Sequence, residues 1–170
     1  DRYNDPNDAT AEGSNNGFRP ITNFSGQIDG QYHTIEDLTI KRSGEYESGF
    51  IAQLGGSIKA LELTNIKVNS AGYAGGLVGY NYGNINECAV SGSLNANEYS
   101  GGLVGINDGY INNSFSKVAV SGNYGIGGLA GLSYGSTTKS YSTGTVAFVD
   151  FGGGLIAEGS INSDSFWDMD

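Results

Sequence analysis

GGLVGYNYG at residues 75–83 decides the fold, because it returns as GGLVGINDG at 101–109, as GGLAGLSYG at 127–135 and, shortened, as GGGLIAEG at 152–159. Copies start at 75, 101, 127 and 153, a step of 26 residues, and an earlier degenerate copy, SGFIAQLGG, begins at Ser48. Self-similarity at a fixed period of this size is the mark of a repeat architecture. Equivalence runs on past the glycines. Ile58, Ile85, Ile111, Thr137 and Ile161 fall in one place, followed three positions later by Leu61, Cys88, Ser114, Ser140 and Asp164. Val68, Leu94, Val120 and Val146 fall in another. Gly83, Gly109, Gly135 and Gly159 align if the last copy has lost two residues between Leu155 and Gly159.

The unit is built from Gly, Ser, Asn, Thr, Val and Tyr, and no 3.6-residue periodicity survives the glycines. Short apolar runs alternate with turn residues, which predicts three short strands per unit, GLVGY, INECAV and GSLNA in the copy starting at Gly75. Three strands in 26 residues make one coil of an all-β parallel solenoid, in which each coil buries its inward side chains only by stacking on its neighbours. Parallel crossovers are overwhelmingly right-handed, so the expectation is a right-handed parallel β-helix of five coils plus a partial one. At the parallel strand spacing such a rod is about 25 Å tall. Residues 17–42 are expected to form a first coil feeding the stack, within a single domain over 17–170, and the polar segment 1–16 to form a cap or tail.

Composition narrows the function. The chain has 170 residues, a net charge of −10, 29 Gly and one Cys. An acidic protein is not drawn to nucleic acid or to anionic membranes, and no apolar run approaches the about 18–20 residues of a membrane helix. Neither partner is expected, nor is membrane insertion. Cys88 alone makes no internal disulfide and no zinc site; it is expected to be a small buried hydrophobe.

The segments GGLVGYNYGNINECAVSG and GGLVGINDGYINNSFSKVAVSG resemble the GLUG repeat; the lead-in GFRPITNFSGQIDGQYHTIEDLTI and the terminal SFWDMD are similar to the flanks of such arrays. The resemblance covers nearly everything from Gly17 to Asp168 and implies a secreted or surface-anchored protein of bacteria or archaea. In that family the repeats sit in large adhesin-like chains and beside unrelated catalytic domains, and carry no known catalytic motif.

Candidate chemistry is sparse. GIGGLA at 125–130 fits Gly-x-Gly-x-x-Ala, but the turn-rich GLSYGSTTKS follows in place of a helix, and no Gly-Lys-Ser/Thr occurs, so phosphate binding is set aside. His33, the only histidine, lies in strand-like alternation. Asp108 and Asp164 stand at repeat positions without acidic counterparts, so no carboxylate pair for polysaccharide cleavage is assigned and no catalytic residue is named. Thr137, Thr138 and Thr143 do not recur, which removes ice binding. Asn23 and Asn112 match the glycosylation sequon. No metal site or cofactor is expected, with Ca²⁺ left open only at the acidic ends DRYNDPND (1–8) and DSFWDMD (164–170).

Two sets of residues remain. Asn81 and Asn107, with Gly83, Gly109 and Gly135, are expected to form a turn ladder, the amides satisfying backbone groups and the glycines supplying positive φ. The GGLVGY wall is apolar on both faces, so it is either covered by another segment or offers a stripe to a partner. Its outward members Tyr80, Ile106 and Leu132, with Tyr82 and Tyr134 at the adjoining turn, are the expected protein or glycan contacts. Tyr73, Tyr99 and Phe151 share a position interrupted by Gly125, and Phe115 and Tyr141 share another. The function expected is a non-catalytic extracellular module for adhesion or assembly, including self-association through the solenoid ends into fibres. The alternative is a glycan-binding or carbohydrate-active β-helix.

Overall fold

A 26-residue unit too short to enclose a core can satisfy its backbone groups only by pairing each stretch with its copy in the next coil. The computed structural model, which describes residues 17–160 and 163–168, shows this arrangement. All strand–strand ladders are parallel, and no helix occurs among the described residues.

The first coil contains β1 (Gln27–Glu36), β2 (Thr39–Arg42) and β3 (Glu47–Ser48), with isolated parallel bridges at Ile21 and Phe24. The second contains β4 (Ile51–Leu54) and β5 (Ser57–Gly75). The third and fourth repeat one pattern: β6 (Val78–Asn81), β7 (Asn84–Asn86) and β8 (Ala89–Gly101), then β9 (Val104–Asn107), β10 (Tyr110–Asn112) and β11 (Phe115–Gly127). The fifth has β12 (Ala130–Ser133), β13 (Ser136–Thr138), β14 (Tyr141–Ser142) and β15 (Val146–Gly153), and a partial sixth has β16 (Ile156–Gly159) and β17 (Phe166–Trp167). One sheet runs β4-β6-β9-β12-β16; all other strands join a second sheet. This is the expected β-solenoid of about five coils.

Register follows the repeat. Ile58 pairs Ile85, Ile85 pairs Ile111 and Ile111 pairs Thr137, while Val68, Leu94, Val120 and Val146 form a second ladder. Leu77, Leu103 and Leu129 are fully buried, and Leu155 is 5% exposed. Cys88 is buried, as expected.

The structure corrects four expectations. INECAV is not one strand: the chain bends at Glu87, whose φ is 53°, and Ala60, Asn113, Lys139 and Asp164 repeat this left-handed corner at φ 48–50°. The third strand is not short, since β8 and β11 each run 13 residues. The last copy loses one residue, and loses it after Gly159. Ser133 pairs Gly159, an offset of 26, whereas Tyr141 pairs Phe166, an offset of 25. Asp164 therefore follows Lys139, and Ser165 takes the place below which Ser140 sits. Ile161 lies outside the described residues.

The fourth correction concerns glycine. Gly83, Gly109 and Gly135 are absent from the positive-φ residues, where Gly159 (φ 115°) does appear. They are glycine for want of space: a Cβ at Gly109 would lie 2.2 Å from the Gly83 carbonyl oxygen one coil away. The repeated Gly-Gly has a similar cause. A Cβ at Gly102 would lie 1.9 Å from Ser116 Oγ, and one at Gly128 2.3 Å from Ser142 Oγ, so the second glycine of each pair makes room for the side chain of the opposite wall.

Candidate contact site

Side-chain amides form a ladder at the turn, while the glycines beside them do not take the positive φ expected of them. Asn81 Nδ2 donates to Asn107 Oδ1 (2.7 Å), Asn107 Nδ2 donates to Ser133 Oγ (3.1 Å), and the Gly83 amide donates to Asn81 Oδ1 (3.0 Å). All three side chains are fully buried, so the ladder is interior. A parallel seam runs beside the left-handed corner. The amides of Cys88, Ser114 and Ser140 donate to the hydroxyls of Ser114, Ser140 and Ser165 at 3.1–3.2 Å. Each of those hydroxyls donates in turn to the carbonyl two residues before it, at 2.8–3.0 Å. On the outside, Asn112 Nδ2 donates to Asn86 Oδ1 (2.7 Å) and Thr138 Oγ1 to Asn112 Oδ1 (2.9 Å). The Asn112 amide is thus occupied, and Ser114 of its sequon is buried.

The doubly apolar wall is covered by the chain itself. β5 and β8 pack across β6, β9 and β12, leaving Ile106 6% and Leu132 8% exposed. Those two expected contacts are core-like residues, and the stripe is not continuous. Tyr80 is half-buried, while Tyr82 and Tyr134 reach solvent at 54% and 71%. The Tyr80 ring stacks on Tyr82 with centroids 4.3 Å apart, and its hydroxyl donates to Asp108 Oδ2 (2.8 Å). Burial, then the Asp108 carboxylate, push the Tyr80 phenol above its usual range.

Aromatic ladders are longer than expected. Tyr46, Tyr73, Tyr99, Tyr124 and Phe151 form an unbroken column with centroids 5.5–6.1 Å apart. Tyr124, not Gly125, fills the slot, because the register shifts on either side of Tyr124. Burial and then the Glu158 charge raise the Tyr99 phenol to about 12. A second column, Phe115, Tyr141 and Phe166, is nearly parallel, with centroids 5.0 and 5.3 Å apart and planes within 8°. Phe166 joins it only because of the one-residue loss after Gly159, which the repeat alignment misplaced.

His33 is exposed on β1. Among the described residues no three His, Cys, Asp or Glu side chains form a group able to hold a metal. The acidic stretch 1–8 lies outside the described residues, as does Asp170 of the other acidic end. The upper end, formed by β15 of the fifth coil and β17 of the sixth, differs from the coils beneath it: Val149, Phe166 and Trp167 are 76%, 59% and 42% exposed, and Phe148 is 48% exposed. Among the described residues no strand pairs with the outer edges of β15, β16 or β17.

No solved structure matches the chain. Halomucin of Haloquadratum walsbyi is 37% identical over 99 residues, covering 52% of this chain. The chain spans about 1% of that relative's length. The family model described as the GLUG motif matches residues 70–95, a window as long as the 26-residue register step between coils. The chain carries a GLUG motif, and that motif is one coil of a parallel β-solenoid.

Proposed function

We propose that this chain is a length of a surface-associated repeat rod, extracellular and non-catalytic, that works by presenting rows of side chains and by end-to-end assembly. The contrast between the last coil and those below it carries the reading. Phe166 and Trp167 lie over Tyr141 and the fully buried Ser142, yet they are 59% and 42% exposed. With Phe148 and Val149 they make an apolar end bordered by open strand edges. Such an end is what a further coil, or a second copy of the chain, would cover. The similarity to a halomucin of which this chain spans about 1% supports a long array. The net charge of −10 keeps such a rod soluble and apart from other acidic surfaces.

Sedimentation across a concentration series, with electron microscopy of the same samples, tests the assembly. The wild type is expected to form elongated multimers as concentration rises. The double variant Val149→Lys/Phe166→Lys is expected to stay monomeric with an unchanged melting curve. A wild type that remains monomeric at millimolar concentration, or multimers indifferent to both lysines, overturns the reading.

A further inference from the structure

The two glycosylation sequons of this chain are placed in opposite circumstances. Asn23-Phe24-Ser25 lies in the first coil, across the isolated bridges Ile21–Ile51 and Phe24–Leu54. Asn112-Asn113-Ser114 begins at the last residue of β10, a strand paired on both sides, to β7 below and to β13 above. We propose that Asn23 is a site of N-linked glycosylation and that Asn112 is not, the sugar donor being an oligosaccharide carried on a lipid pyrophosphate. The proposal rests on the extracellular reading of the chain and is independent of end-to-end assembly.

The first sequon is open to a transferase. Asn23 and Ser25 are both exposed, and neither side chain makes a hydrogen bond among the described residues. Phe24 between them is half-buried and packs against the core, so the stretch is anchored by its middle residue and free at the two positions a transferase reads. Asn23 has φ 51° and belongs to no strand. The Phe24 amide donates to the Gln53 carbonyl at 2.9 Å and the Ala52 amide to the Ile21 carbonyl at 2.9 Å, but among the described residues no backbone bond involves Asn23 itself. Lifting it into an enzyme's cleft therefore breaks few contacts. The site is at the opposite end of the stack from Phe166 and Trp167.

The transfer needs a free side-chain amide. Asn23 Nδ2 attacks the anomeric carbon of the donor; the C–N bond forms as the anomeric C–O bond breaks. The lipid pyrophosphate leaves with the electron pair, and the amide gives up one proton to a basic group of the transferase. Asn112 offers no such amide. Its Nδ2 donates to Asn86 Oδ1 at 2.7 Å, and its Oδ1 accepts from Thr138 Oγ1 at 2.9 Å. Ser114 is 1% exposed, and its hydroxyl donates to the Asn112 carbonyl at 2.8 Å while accepting from the Cys88 amide at 3.1 Å. The same asparagine that completes a sequon in the sequence is a rung of the polar ladder in the fold.

The test incubates the folded protein with a single-subunit oligosaccharyltransferase and its lipid-linked oligosaccharide, and maps glycopeptides by mass spectrometry. Protein washed from the surface of the producing cells is mapped in the same way. The folded chain is expected to carry glycan on Asn23 at least about tenfold more often than on Asn112, because freeing Asn112 breaks two side-chain hydrogen bonds. Short peptides spanning each sequon are expected to accept alike, which makes the preference a property of the fold. Ser25→Ala is expected to abolish the modification and Ser25→Thr to keep it, while Ser114→Ala leaves it unchanged. Three results overturn the proposal: a bare Asn23 in the folded chain after incubation, equal modification of Asn23 and Asn112, or surface-washed protein with a bare Asn23. Absence of the chain from the surface wash would count against the extracellular reading instead, and the incubation would still decide the acceptor.

Discussion

Replacing Asn107 by Ala tests whether the interior amide ladder holds the corner together. Asn107 is fully buried and accepts from Asn81 Nδ2 at 2.7 Å while donating to Ser133 Oγ at 3.1 Å. Loss of two neutral hydrogen bonds costs about 1 kcal/mol each, and stranding the buried Asn81 donor adds about 1 kcal/mol more, giving about 3 kcal/mol. Residual partners keep the figure from rising further: Asn81 Nδ2 retains the Tyr110 carbonyl at 3.5 Å and Ser133 retains Thr137 at 3.3 Å. For a chain of this length the cost corresponds to a fall in melting temperature of about 6–12 °C. The assay is thermal and urea unfolding of Asn107→Ala beside Asn69→Ala, an exposed asparagine on β5 expected to change stability by less than about 0.5 kcal/mol. Because Asn81 and Asn107 share one bond, Asn81→Ala/Asn107→Ala should cost about 1 kcal/mol less than the sum of the single variants. A loss no greater than that of Asn69→Ala, or strict additivity, would refute the ladder as the element that fixes the corner.

Gly109→Ala should cost more than about 2 kcal/mol, since its Cβ would lie 2.2 Å from a backbone oxygen one coil away, whereas Gly44→Ala, with nothing within 4 Å, should be neutral or mildly stabilising; parallel melts of the two variants compare them. Burial raises the Cys88 thiol to about 11, so a disulfide reagent at neutral pH should label the native protein far more slowly than the urea-unfolded chain. The Tyr99 phenol is raised to about 12 from the usual 10, which means its neutral form is favoured in the folded state. Its contribution to stability is present below pH 10 and is lost as pH rises towards 12. An alkaline titration of phenolate absorbance should show a component near pH 12 that disappears in Tyr99→Phe.

Much of this was legible in the sequence because a stacked fold copies its contacts at the period of its sequence. Ile58, Ile85, Ile111 and Thr137 could be aligned without a structure, and alignment in a parallel solenoid is contact. The amide ladder was legible for the same reason. What failed was whatever depended on local geometry within a coil. Glycine at Gly83, Gly109 and Gly135 suggested a turn conformation, yet the constraint is distance to the next coil, and the left-handed corner falls on Glu87, Asn113 and Lys139 instead. Those three share no side-chain type, so no composition signal marked them. The register shifts around Tyr124 hid the continuous aromatic column, because Tyr124 is one residue out of step with the period. Alternation assigns one face of a wall to solvent, which would put Ile106 and Leu132 on the surface. Strands of the preceding coils packed against that wall are invisible to a two-residue period.

The inward ladders also carry a direction. Leu54 is followed up the stack by Asn81, Asn107, Ser133 and Gly159. Leu63 is followed by Val90, Ser116 and Ser142, and Ile111 by Thr137. Beside the corner, Leu61 lies below the seam of Cys88, Ser114, Ser140 and Ser165. These ladders thus pass from branched apolar side chains to small polar ones, while the Leu77–Leu155 and Val68–Val146 ladders stay apolar. Each replacement of a buried Leu or Ile by Ser or Thr forgoes about 2 kcal/mol of apolar burial and recovers about 1 kcal/mol through its hydrogen bond. Ser142 recovers nothing among the described residues, where its buried hydroxyl has no hydrogen-bond partner. In a stack whose coils contact only their neighbours, this makes local stability fall towards the sixth coil. Hydrogen exchange should therefore protect Leu61–Val68 more strongly than Ser140–Val146, although each lies one coil from an end. Equal protection would mean that the serine seam compensates fully for the lost apolar area. Greater protection at the upper end would reverse the gradient. The expected asymmetry suits an end that is completed by something laid upon it: the coils least able to hold themselves are those beneath the exposed Phe166 and Trp167.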